Sequence, residues 1–398
     1  MTPAARVQSA IELLDQIIFA AREGGAAADT IASRFFKERR YAGSGDRRAI
    51  RELVWGAIRR FGKLPDSGRA AMLALADEDA DLAALFTGET NAPGPIFKHE
   101  PRASGSVMPK WLLPHLDARV GGKGGNAAEL AALLDRAPLD LRINPMRAEG
   151  VDLPEGHPLP APLNGLRLAG DTPVLQTGAY LYGAIEVQDA GSQWVSWACD
   201  AKPGHTVIDL CAGAGGKTLA LAAAMAGEGR LIACDSDRKR IQSLPPRADR
   251  AGAEGIETRL LNPGDEWDML SDLEAAGDVV LVDAPCSGSG TWRRNPEARW
   301  RLTPARLDRL VDQQARLLDL AARLVAPGGA LVYAVCAITR EEGEQQIGAF
   351  IERTKSWLAE DVFTGTASGV GRPAGAGRLL TPHHDATDGF FIARLRAG

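Results

Sequence analysis

Cys286 and Cys336 each follow a run of apolar, strand-forming residues, Val279 to Val282 in the first case and Ala330 to Val335 in the second. The first run leads into Asp283-Ala284-Pro285-Cys286-Ser287-Gly288-Ser289-Gly290, a turn that carries an acid and a thiol. Ligand sites of open α/β sheets cluster at the carboxyl ends of strands, so two thiols and the Asp283 carboxylate are expected to converge there. A thiolate there would be a nucleophile, but a lone cysteine at a strand end is more often a small buried hydrophobe, and position alone leaves both readings open for Cys286 and Cys336. The other three cysteines, Cys199, Cys211 and Cys234, are read as small buried hydrophobes. There is no Cys-x-x-Cys pair and no neighbouring histidine pair, so neither a metal nor a disulfide framework is expected.

A third chemical feature is the run Val207-Ile208-Asp209-Leu210-Cys211-Ala212-Gly213-Ala214-Gly215-Gly216-Lys217-Thr218, a strand delivered into a glycine turn and an alanine-rich helix. Glycines there let a ligand approach the backbone, and the helix start offers N–H groups. A phosphate-binding P-loop would need glycine where Cys211 stands, and a dinucleotide fingerprint would need it at Thr218. What remains is strand, glycine turn and an acid some twenty residues later. That acid, Asp235, ends the next strand and is placed to accept bonds from ribose hydroxyls, so any adenosine-containing ligand fits.

The surrounding elements follow from periodicity. Val7, Ile11, Leu14 and Ile18, then Ile50, Leu53, Val54, Ile58 and Phe61, recur at helical spacing, giving a helical domain over 1–86 in which Asp46 is expected to cap a helix. Prolines and glycines mark a linker over 87–107, and 108–193 is expected to be a small α/β module with a helix at Ala127–Leu134 and a strand at 139–143. Residues 194–398 alternate strand and helix, with strands at Thr206–Leu210, Arg230–Cys234, Val279–Val282 and Ala330–Val335, which predicts a doubly wound sheet. A helix is expected over Pro304–Leu324, capped by Thr303 and ended by Gly328-Gly329, and a mobile loop over Gly365–Gly377 before a last strand, Phe390–Leu395.

The 398 residues are 45% hydrophobic, enough for two or three domains. No apolar stretch is long enough for a membrane span and the N-terminus does not read as a secretory signal, so a cytoplasmic protein with free thiols is expected. The net charge of −5 argues mildly against a polyanionic partner, but its distribution argues the other way. Arg34, Lys37, Arg39, Arg40, Arg47, Arg48, Arg51, Arg59, Arg60 and Lys63 form one cluster, and Arg293, Arg294, Arg299, Arg301, Arg306 and Arg309 a second. Taken alone, each reads more readily as a solvated helix face.

DLCAGAGGKT, DAPCSGSGTWRRNPE, VYAVC, VQDAGSQ and the ending DGFFIARL occur in order and together resemble the RsmB/Nop/Sun family of RNA cytosine-5 methyltransferases, over about Leu139 to the C-terminus. The resemblance implies a class I, Rossmann-like α/β methyltransferase domain preceded by the small α/β module. It implies S-adenosylmethionine at Cys211, Ala212, Gly213, Ala214, Gly215, Gly216, Lys217, Asp235, Asn262 and Asp283. It further implies that Cys336 is the nucleophile, that Cys286 assists product release, that Asp283 contacts the ring nitrogen of cytosine and that Lys217 lies near that base. Ala214 replaces a common proline, Val335 and Ala337 replace common Thr and Ser around the nucleophile, and Asn262, or Asp265 beyond it, stands where an adenine-binding acid is usual. ADTIASRFFKERR and GDRRAIRELVWGAIRR resemble, more weakly, a NusB-like RNA-binding domain, which implies ribosomal RNA of the small subunit as substrate and turns the basic clusters toward phosphate contact. A monomer is expected. The rival readings are a methyltransferase of tRNA or DNA and a non-catalytic RNA-binding assembly factor.

Overall fold

The computed structural model describes residues 1–118, 120 and 127–398. The chain divides into two compact units, Met1–Pro114 with Arg294–Pro304, and His115–Arg293 with Ala305–Gly398.

The first unit is helical. Thr2 accepts the Ala5 N–H at 3.2 Å and Pro3 opens the helix Pro3–Arg22, whose Val7, Ile11, Leu14 and Ile18 are buried. It packs with the helices Ala28–Glu38, Ser44–Arg60 and Gly68–Ala76 around Phe35, Ile50, Val54 and Ile58. Asp46 is not the cap of its helix but lies inside the first turn, where it accepts the Gly43 N–H at 3.1 Å and the Arg6 guanidinium at 2.8 Å. Residues 87–107 also belong to this unit, tied by Ala103 N–H to the Ala70 carbonyl at 2.9 Å, by Gly62 N–H to the Ser106 carbonyl at 3.0 Å and by the Arg69–Glu100 pair.

The segment Arg294–Pro304 completes that core: Trp300 is buried in it and its indole N–H donates to the Phe61 carbonyl at 2.7 Å. Arg299 is buried and donates to the carbonyls of Ile58, Pro296 and Val107. Arg301 donates to those of Ala20, Gly25 and Ala26. Both were expected to hold RNA; their donors are spent on backbone carbonyls instead.

The second unit holds two sheets. The smaller is antiparallel, with strands β1 (Leu139–Ile143), β2 (His157–Pro158), β3 (Gly165–Leu168) and β4 (Ile185–Val187) in the order β2-β3-β1-β4. The larger contains β5 (Thr206–Asp209), β6 (Arg230–Asp235), β7 (Glu257–Leu260), β8 (Gly277–Asp283), β9 (Val325–Val335), β10 (Trp357–Glu360), β11 (Arg372–Ala374), β12 (Gly377–Leu380) and β13 (Phe390–Ala397). Its order is β11-β12-β13-β9-β8-β5-β6-β7, with β10 paired to β13. The five strands from β9 to β7 are parallel and the remainder antiparallel. Strand order reverses between β5 and β8, which is where such sheets open a ligand crevice.

Two expectations are corrected here. The helix Pro304–Leu324 passes directly into β9, and Gly328-Gly329 lie inside that strand, absorbed by a bulge between the Gly277–Val325 and Val279–Ala330 pairs. Gly365–Gly377 is not a loop throughout: it carries β11 and leads into β12, adding two strands at the sheet edge.

Candidate active site

The glycine turn connects β5 to the helix Gly216–Ala224. Gly213 and Gly215 have φ of +58° and +87°, a region that L side chains resist. A Cβ on Gly215 would come within 2.1 Å of Leu244 Cδ1, so the turn packs too closely for any side chain. Asp235, at the end of β6, accepts the Gly213 N–H at 2.8 Å and the Asp237 N–H at 2.6 Å, which ties the turn to the neighbouring strand. Asp209, buried at the end of β5, accepts the Thr218 hydroxyl at 2.7 Å through Oδ2, while Oδ1 has no hydrogen-bond partner. Burial raises its carboxyl to about 7.

Asp209, Gly213, Asp235 and Asp237 line a cleft of about 720 Å³ that also touches Cys211, Ala212, Ala214, Gly216, Lys217, Asp283, Cys286 and Cys336. Leu261 and Pro263 line it too, but Asn262 between them does not and is exposed, and Asp265 is exposed beyond the cleft. The Asn262 carbonyl closes a turn with the Asp265 N–H at 3.0 Å.

Across the switch point from the glycine turn, the sulfur atoms of Cys286 and Cys336 lie 3.3 Å apart. The hydrogen bond with Cys336, together with burial, pushes the Cys286 thiol well up. Lys217 donates to Asp283 Oδ2 at 2.6 Å, and its ammonium lies 5.3 Å from the Phe390 ring centroid. Burial acts to lower the Lys217 ammonium, but the Asp283 charge and hydrogen bond, with Cys336, outweigh it and the net shift is upward. Cys199 and Cys234 are wholly buried. Cys211 lines the cleft, with a thiol that burial pushes well up.

Residues 197–396 match the model of the family described as 16S rRNA methyltransferase RsmB/F. The chain belongs to the RsmB/F family. Among its relatives is a protein named probable ribosomal RNA small subunit methyltransferase B from Synechocystis sp., 36% identical over 305 residues; the match covers 73% of this chain and 66% of that one. In fold, this RsmB/F protein is similar to the crystal structure of PH0851, with a TM-score of 0.76, 23% identity and 99% of each chain covered. It is also similar to NSun6 from Pyrococcus horikoshii, solved with SFG, with a TM-score of 0.61, 19% identity, and 73% of this chain and 98% of that one covered.

Several site features of this RsmB/F member were not singled out in the sequence. Asp209 could have been suspected, because an acid closing a strand against a glycine turn is placed to face a ligand. Glu342 is the larger omission: it is wholly buried behind the two thiols, yet Glu341, Glu342 and Glu344 crowd one stretch and nothing in their spacing says which goes inside. Arg293 was expected at the RNA, but it is buried between Asp189, at 2.9 Å, and Asp388. Of the second cluster, Arg306 and Arg309 are exposed, and Arg306 lines the cleft. Of the first, Arg39, Arg51 and Arg60 form ion pairs with Glu12, Asp29 and Glu78, whereas Arg34, Lys37, Arg40 and Arg48 are exposed and make no ion pair among the described residues. No described helix is long and apolar enough to cross a membrane, and no cluster among the described residues is placed to hold a metal ion.

Proposed function

We propose that the protein methylates carbon 5 of a cytosine in small-subunit ribosomal RNA, using S-adenosylmethionine and a covalent bond from Cys336 to carbon 6. The observation that carries this reading is the pair of sulfurs 3.3 Å apart in the cleft that also contains the glycine turn. The residues present fit the donor: a close-packed turn with two left-handed glycines, an acid at the end of the next strand and an unpaired Asp209 oxygen. When bound, S-adenosylmethionine supplies an electrophilic methyl group.

Carbon 5 of cytosine is a weak nucleophile. Addition of the Cys336 thiolate to carbon 6 forms a C–S bond and moves an electron pair to carbon 5, from which the methyl carbon is attacked. A proton delivered to the ring nitrogen through Asp283 eases that addition, and Lys217 holds one 2.6 Å behind it. Once the Cys336 sulfur is bound to the base, its hydrogen bond with Cys286 is gone and Cys286 gives its proton to solvent. The Cys286 thiolate then takes the proton from carbon 5, which re-forms the ring double bond and expels Cys336 as thiolate, while the ring nitrogen gives its proton back to Asp283. The target base must be unstacked to enter, which favours single-stranded or loop RNA. Arg306, Arg309 and the exposed cations of the helical unit, whose NusB-like resemblance fits an RNA-binding role, would meet phosphates. The protein is proposed to act as a cytoplasmic monomer without a metal.

The order of the two thiols is tested by Cys286→Ala. With donor and RNA, this variant should accumulate a protein–RNA adduct that survives denaturing electrophoresis. An active variant that leaves no adduct contradicts the assignment.

A further inference from the structure

The sheet stops constraining the two cysteines before either is reached. The last registered pair between β8 and β9 is Asp283 with Ala334, so Cys286 lies three residues and Cys336 two residues beyond the ladder. What fixes a sulfur separation of 3.3 Å must therefore be found in the loops.

Glu342 lies behind both. Its Oε1 accepts the Ser287 N–H at 2.7 Å and the Gln314 side-chain amide at 3.1 Å, and its Oε2 accepts the Ser287 hydroxyl at 2.6 Å and the Thr339 hydroxyl. Four donors occupy the four lone-pair sites of one carboxylate. Ser287 follows Cys286, and Thr339 lies three residues after Cys336. Gln314 also donates to the carbonyl of Pro285, which precedes Cys286, at 2.9 Å. The Tyr333 hydroxyl, three residues before Cys336, donates to the Glu342 carbonyl at 2.8 Å. Both thiol-bearing loops are thus sewn to one buried residue that does not itself line the cleft.

We infer that Glu342 is a positioning residue that sets the separation of Cys286 and Cys336 by clamping Ser287 and Thr339. This rests on the two-thiol mechanism above for its catalytic meaning, but the geometry can be read without it. Removing the carboxylate leaves four buried donors without their acceptor and frees the loops to part, and a misplacement of about 1 Å is enough for losses on the order of a hundredfold.

The test uses the full-length protein with the azo oxidant diamide, which takes two electrons and two protons from the thiol pair to give a Cys286–Cys336 disulfide and a hydrazine. Bond closure is followed by peptide mass spectrometry without RNA or donor, and methylation kinetics are measured in parallel. Glu342→Ala should close the disulfide about tenfold more slowly or worse and lose kcat by at least about as much, while KM for the donor stays within about twofold. Glu342→Gln keeps an acceptor for Ser287 and a donor for the hydroxyls, and should recover both rates to within about threefold. If Glu342→Ala does not fold, Thr339→Val removes the Cys336 side of the clamp and should show the same pattern in smaller degree. A Glu342→Ala variant that closes the disulfide at the wild-type rate overturns the inference, as does a Glu342→Gln variant as impaired as the alanine. A wild type that closes the bond rapidly, with Glu342→Ala slow, but methylates no cytosine overturns the proposed function and leaves the positioning role standing.

Discussion

Three glycines in one turn should respond differently to the same added methyl group. At Gly216 φ is not positive and a Cβ would meet nothing within 4 Å, so alanine there should stabilise the fold by about 0.4–1 kcal/mol through the unfolded chain. At Gly213 the space is also open, but φ is +58°, and the left-handed region costs an alanine about 1–2 kcal/mol. At Gly215 φ is +87° and the new carbon would stand 2.1 Å from Leu244 Cδ1, on a side chain that is wholly buried. Overpacking there adds about 1–3 kcal/mol to a similar backbone strain, so Gly215→Ala should cost about 2–4 kcal/mol net of the unfolded-state gain. Urea unfolding should be read from the transition that the donor shifts upward, because a ligand stabilises the unit that binds it. Donor affinity should rank differently: the open space beside Gly216 belongs to the cleft, so Gly216→Ala should weaken donor binding at least about tenfold without loss of stability. A Gly215→Ala protein as stable as Gly216→Ala, or a Gly216→Ala protein with wild-type donor affinity, would refute the reasoning.

Asp235→Ala removes the acceptor of the Gly213 and Asp237 N–H groups, so calorimetry should find donor affinity down at least about tenfold and RNA affinity within about twofold; equal losses in both would deny it a cofactor role. Asp209 carries its own pH signature. Burial pushes its folded carboxyl up to about 7 from an ordinary 3.8, so between those values the folded state holds a proton that the unfolded state has released, and stability falls as pH rises through the window. Asp209→Asn should therefore gain stability relative to wild type from about pH 4 to 7, and a difference independent of pH across that range would contradict this. Arg293→Met takes a buried guanidinium away from the Asp189 and Asp388 carboxylates and should lower stability by about 3–5 kcal/mol in urea unfolding; a cost below about 1 kcal/mol would return Arg293 to the pool of RNA-contact candidates.

How much of this was legible depended on whether the signal was local. The strands ending at Asp209, Asp235 and Asp283 and the helix Pro304–Leu324 follow from apolar runs and periodicity, so the two thiols and the glycine turn were placed at strand ends before any fold was known. Local signals misled where tertiary pairing overruled them. Gly328-Gly329 looked like a stop but is absorbed as a bulge because β8 continues beside it, and the glycine-rich stretch before Gly377 contributes strands because the antiparallel β13 offers an edge. Charge was the poorest guide. Arg293 and Glu342 are as polar in sequence as any surface residue, and only distant partners, Asp189 and Asp388 for one and Ser287, Gln314 and Thr339 for the other, make their burial tolerable.

Methyl transfer to cytosine through Cys336 is the reaction proposed for this cleft. Bisulfite sequencing of unmodified small-subunit ribosomal RNA and tRNA, after incubation with S-adenosylmethionine and either wild type or Cys336→Ala, tests it most directly. One cytosine in the ribosomal RNA should be protected by wild type and not by the variant. Protection by both proteins, or by neither with ribosomal RNA and assembly intermediates alike while donor binding is intact, would contradict it.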